Sequence, residues 1–131
     1  MDATKEARLW TVGELAFDLG VTTRTLRFYE AEGLIKPTRV GTNRRYDHRD
    51  RARLRLILRG KRFGMTLGEI REIVSMYDGA ASSERRQLEK LLGRLAEIRQ
   101  DLQARQRDLA ATLLEVDDVA RSCRQRLEEL N

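Results

Sequence analysis

Within eight residues, Thr22 to Tyr29, the chain carries three threonines, two arginines and two aromatics, in the order TTRTLRFY. Arginine presents a planar fork of N–H donors that fits the O6/N7 edge of guanine, and threonine hydroxyls reach base edges or phosphates. The chemistry implied is recognition of a duplex, with no bond made or broken. Arg24 is the candidate guanine contact, and Thr22 and Thr23 stand beside it. Arg27, Phe28 and Tyr29 follow one turn later. One of the two aromatics is expected to pack inward. Tyr29 is read as the more DNA-facing, and Leu26 as core. A second basic group, Arg44 and Arg45 with Tyr46, then Lys61 and Arg62, offers phosphate contacts, which position a protein without specifying sequence.

Other chemistries find few residues to work with. There is one histidine, His48, and one cysteine, Cys123. No glycine-rich loop cradles a phosphate and no carboxylate pair marks a pocket, so an enzyme is not expected. Cys123 falls at a heptad core position, and no metal or other cofactor is expected. A lone cysteine excludes an internal disulfide and fits a cytoplasmic location. No apolar run approaches the roughly 18 residues of a membrane helix. The first ten residues carry no signal-peptide core.

The elements that must hold these residues follow from caps and breakers. Residues 1–9 are polar and read as a disordered tail. Thr11 with Glu14 three residues on makes a capping box, and Leu15, Ala16 and Leu19 form the apolar face of a first helix. Gly20 supplies a turn, and Thr22 or Thr23 caps a second helix that stops at Gly33. The pair reads as a helix-turn-helix. Pro37 ends helical backbone at Lys36, and two β-prone runs, Thr38–Val40 and Arg44–Tyr46, flank Gly41-Thr42-Asn43. That predicts a hairpin wing. Asp47 caps a third helix with Leu54, Ile57 and Leu58 inward, and Gly60 to Gly64 is expected to break it with a basic loop. Thr66 and Glu69 open a fourth helix with Leu67, Ile70, Ile73, Val74 and Tyr77 inward. The DNA-binding domain is thus placed at 10–78, a linker at 79–83 and a dimerising helix at 84–131. The fold class is mainly α.

Charge supports the division. The net charge is +5, yet residues 1–66 hold 15 basic and 8 acidic residues, against 11 and 13 in the remainder. A cationic half releases counterions from DNA and makes binding salt-sensitive. From Glu84 the pattern turns heptad: Leu88, Leu95, Leu102, Leu109, Val116 and Cys123 recur every seven residues. Leu91 and Ile98 strengthen the early seam, which weakens at Arg105, Thr112 and Arg126. Such a stripe needs a partner strand, most simply a second copy of the chain.

With these elements in this order, the chain resembles the MerR family of bacterial transcriptional regulators. The resemblance is carried by Thr11-Val12-Gly13-Glu14-Leu15-Ala16, by Thr22 through Glu30 with Gly33-Leu34, by Arg44-Arg45-Tyr46, and by Phe63 through Ile70. It is close over about residues 10–77 and loose over 84–127. Asn43 departs from the aromatic or glycine-led wing turn of many members. The resemblance implies that Arg27, Phe28 and Tyr29 contact phosphates or bases. It also implies a homodimer on a pseudo-palindromic promoter operator, distorting the spacer DNA for RNA polymerase. Metal-sensing relatives place at least two cysteines near the end of the dimerisation helix; this chain has one. The run Asp50 to Arg62 and Met76-Tyr77-Asp78 resembles more narrowly the branch associated with leucine, isovalerate and acyl-CoA degradation, which suggests an acyl-CoA effector. About four residues follow Leu127, so an effector is expected to bind between the dimer helix and the DNA-binding domains. The alternatives are an architectural, excisionase-like protein and a coiled-coil adaptor. The long self-pairing helix argues against the first, and DNA-independent partners would mark the second.

Overall fold

The computed structural model describes residues 8–79 and 84–131. Most of the tail read at 1–9, and all but Gly79 of the linker read at 79–83, lie outside the described residues. The chain divides into two units, Met1–Gln87 and Leu88–Asn131.

In the first unit, helix α1 spans Val12–Leu19 and opens on the expected capping box. The Glu14 N–H donates to Thr11 Oγ1 at 3.1 Å, and the Thr11 N–H donates to Glu14 Oε1 at 2.8 Å. Two otherwise orphaned donors are satisfied, a gain of about 1 kcal/mol for such a cap. Gly20 closes the helix at φ 71°, a left-handed backbone that a side chain would strain. Helix α2, Thr23–Ala31, starts at the Thr22 cap, whose hydroxyl accepts the Thr25 N–H at 3.1 Å. Strands β1, Thr38–Val40, and β2, Asn43–Arg45, pair antiparallel with Thr38 opposite Arg45, Arg39 opposite Arg44 and Val40 opposite Asn43. Asn43 therefore belongs to the ladder, and the turn is Gly41-Thr42 alone. Gly41 at φ 66° takes its first position, where a two-residue hairpin of this kind demands glycine.

Helix α3 runs His48–Arg62 and helix α4 Leu67–Tyr77. The basic loop expected at Gly60–Gly64 is not there: α3 continues through Gly60 and ends only after Arg62. Gly60 serves packing. A Cβ on it would lie 2.9 Å from Ile70 Cγ1, so its missing side chain is what lets α4 approach. Leu15, Leu26, Ile35, Tyr46, Leu54, Ile57 and Ile70 are each less than 2% exposed and form the core. At about 1.5–3 kcal/mol per buried large side chain, this core outweighs any single cap. Tyr77, expected inward, is instead exposed, with the Arg49 guanidinium 5.9 Å from its ring centroid.

One carboxylate is buried with the core. Asp50, 3% exposed, accepts the Asp47 N–H at 3.0 Å and pairs with Arg53 at 3.2 Å. Arg53 in turn donates to Asp78 at 2.8 Å, which ties the start of α3 to the end of α4. Desolvation pushes the Asp50 carboxyl up from 3.8 to about 6, against the lowering effects of the Asp47 N–H and Arg53. Glu14 moves the other way, held down first by the Thr11 backbone N–H and then by its hydroxyl. A raised acid binds its proton more readily folded than unfolded. Its contribution to stability is therefore largest below the unfolded value of 3.8 and is lost as pH rises through about 6. The stability of the native protein relative to an Asp50→Asn variant should accordingly decline across about pH 4 to 6 in chemical denaturation. A constant difference, or one that grows with pH, would refute the assignment.

Helix α5, Glu84–Glu129, carries the second unit and is 46 residues long, roughly 70 Å at 1.5 Å per residue. Of the heptad positions, Leu88, Leu102, Leu109 and Val116 are 46–65% exposed, Leu91 and Leu95 are half-buried, and Ile98 is buried.

Candidate nucleic-acid interface

Helix α2 has two faces with different compositions. Leu26 at 0% and Tyr29 at 3% exposure, three residues apart, point inward. Arg24, Arg27 and Phe28, at spacings of three and four, form an exposed stripe on the other face, with Thr22 exposed at its head and Thr23 half-buried. The reading of Tyr29 as DNA-facing is corrected by this geometry. It shares the inward row with Leu26, and Phe28, 48% exposed, takes the outward place. The two rings meet edge-on, 5.4 Å between centroids. Burial also pushes the Tyr29 phenol up.

Tyr46 is the second correction. It is completely buried, because just past β2 an isolated antiparallel bridge ties its backbone to Trp10 and carries its ring under the core. The Tyr46 N–H donates to Trp10 O at 2.9 Å, and the Trp10 N–H to Tyr46 O at 2.8 Å. Its hydroxyl has no hydrogen-bond partner among the described residues. Burial, then the nearby Glu30 carboxylate, raises its phenol. Trp10, 5% exposed, belongs to the core, and the half-buried His48 ring stacks on it with 6.4 Å between centroids.

The remaining cations divide between surface and ion pairs. Lys61 and Arg62 are exposed in the last turn of α3. Arg45 is half-buried and donates to Arg44 O at 2.9 Å. Arg44 forms an ion pair with Glu30, its Nε 2.7 Å from Oε2 but not aligned as a hydrogen bond, and its side chain is about one-third exposed. Arg51 pairs with Asp18 at 2.6 Å and Arg71 with Glu32 at 3.3 Å, which pins α3 to α1 and α4 to the end of α2. Sequence reasoning missed Glu30 and the wing cation Arg39. The available signal was an acid lying among basic residues on either side. No group of three or more His, Cys, Asp or Glu that could hold a metal occurs among the described residues. The arrangement presents an arginine-bearing helix face whose last turn is ion-paired to a cationic hairpin. It can bind a polyanion with register.

Comparison with known proteins places this geometry. Residues 10–77 match the family profile described as MerR HTH family regulatory protein, and residues 51–119 the profile described as MerR, DNA binding. The chain is 36% identical over 91 residues to the nodulation protein NolA of Bradyrhizobium diazoefficiens, covering 68% of this chain and 38% of that protein. It is 32% identical over 121 residues to the mercuric resistance operon regulatory protein of Serratia marcescens, covering 88% of this chain and 78% of that one. The corresponding regulator of Pseudomonas fluorescens is 37% identical and is spanned over 53% of its length. Among solved structures, HiNmlR, a MerR family regulator lacking the sensor domain and bound to promoter DNA, superposes with a TM-score of 0.68. It is 25% identical, over 78% of this chain and 79% of that one.

Proposed function

The chain belongs to the MerR family of DNA-binding transcriptional regulators, and on that premise we propose that it acts as a homodimer on a pseudo-palindromic promoter operator. The observation that carries this reading is the exposed Arg24, Arg27 and Phe28 stripe on a capped helix beside the wing. Two copies joined through α5 would set two such helices in successive major grooves, with Arg24 reading guanine in each. Thr22 and Thr23 contact the DNA at the N-terminal end of the recognition helix. Arg44, Arg45, Lys61 and Arg62 take the phosphates. Contacts to backbone on both sides let the protein hold spacer DNA bent or untwisted, a deformation that costs a few kcal/mol and is offset by those contacts. RNA polymerase on the same promoter would read the altered spacing. The protein would act in the bacterial cytoplasm, where that promoter is.

The proposed division is 10–78 for DNA binding and 84–131 for dimerisation. Open seam positions Leu88, Leu102, Leu109 and Val116 support the second. The narrower kinship with regulators of leucine, isovalerate and acyl-CoA degradation gains no support from the relatives named above. Their names concern nodulation and mercuric resistance, so an acyl-CoA effector is not part of the proposal. Selection from a random duplex library with the full chain, at about physiological salt, tests the reading. Enrichment of one pseudo-palindrome is expected. Salt-sensitive retention without an enriched sequence would overturn it in favour of an architectural protein.

A further inference from the structure

Glu30 lies in the last turn of α2, with its side chain 19% exposed. Its Oε2 is 2.7 Å from Arg44 Nε, and its Oε1 is 3.7 Å from Arg39 Nη2. Arg39 and Arg44 are directly opposed across the hairpin. Like charges facing each other in a ladder repel, and a hairpin of three-residue strands is marginal alone. One carboxylate therefore answers both cations of that pair, and it does so from the element that reads DNA. Lengthwise, the contact spans from the end of the recognition helix to the middle of each strand.

We propose that Glu30 is a positioning residue for DNA recognition, fixing the wing against the recognition helix before DNA arrives. The inference rests on the DNA-binding reading above and adds how specificity is kept. With Glu30 in place, the wing meets the backbone only where α2 is already seated over its base pairs. Without it, Arg39 and Arg44 are released to bind phosphate in many registers, and one negative charge leaves the interface. Non-specific binding then gains while the operator loses a preorganised contact. The quantity that moves is the ratio of the two affinities, which a residue needed only for folding would leave alone.

Glu30→Gln, of the same size, tests this in two measurements. In DNA-free protein, amide exchange across residues 38–45 should quicken at least about tenfold while α1 and α3 amides keep their rates. The ratio of affinity for the selected operator over a random-sequence duplex of equal length should fall roughly tenfold. On an Arg44→Gln background the same substitution should do much less, since its main partner is gone. Unchanged exchange in the wing overturns the proposal whether or not an operator has been found, so its failure is distinct from failure of the regulator reading. Quickened exchange with both DNA affinities falling together overturns the specificity role.

Discussion

Leu109→Glu should leave the chain monomeric and cost operator binding on the order of 10³-fold, the span that separates specific from non-specific association. Leu109 is 65% exposed and stands between Leu102 and Val116 on the heptad stripe, both also exposed. A helix of 46 residues with such a stripe has a large apolar area in water, and a second copy is the simplest cover for it. A carboxylate at the centre of that seam would have to be desolvated without a partner, which a dimer does not tolerate. The large effect on DNA comes from geometry. In the proposed dimer each protomer brings one recognition helix, and half a site held by one helix and one wing would bind with little more than non-specific strength. Sedimentation and operator titration of the same preparation check both halves. Gln103→Glu, exposed on the same helix but off the stripe, should change neither. A Leu109→Glu protein that stays dimeric and binds its operator normally would refute the placing of the seam.

Arg24→Ala should relax the sequence preference at one symmetric pair of operator positions and weaken operator binding by about 1–3 kcal/mol, a factor of roughly 5 to 150. Arg24 is exposed at the head of the stripe, where the N-terminal end of a recognition helix meets base edges. A guanidinium paired to guanine O6 and N7 discriminates bases. A phosphate contact does not, so Lys61→Ala should instead weaken all sequences about equally and lower the salt slope by about one. Repeating the library selection with each variant separates the two roles. An unchanged sequence preference for Arg24→Ala would remove it from base readout and leave the other exposed members of the stripe as the candidates. Arg27 then becomes the residue to vary next.

Much of this was legible from local signals. The capping boxes at Thr11–Glu14 and Thr66–Glu69, the Gly20 turn and the cap at Asp47 are each satisfied within four residues of chain. Nothing distant is needed to form them, so residue type and spacing announce them. The same holds for the heptad stripe and for the concentration of positive charge before Thr66.

One miss was local: with Leu26 read as core, the three-residue spacing to Tyr29 already favours Tyr29 over its neighbour Phe28 for the inward place. Other features were decided only when distant segments met. Tyr46 read as an interface residue by its basic neighbours until the bridge to Trp10, 36 positions earlier, drew it under the core. Gly60 looked like a helix breaker, yet its use is to admit Ile70 from the next helix. Arg44 could be counted as a free cation until Glu30 was found 2.7 Å away. Which helices form, where they are capped and which half carries the charge were readable locally, since these depend on neighbours along the chain. That Tyr46 is buried, which arginine is already paired and how the wing is held are tertiary facts. They depend on burial and on charges brought together from different elements.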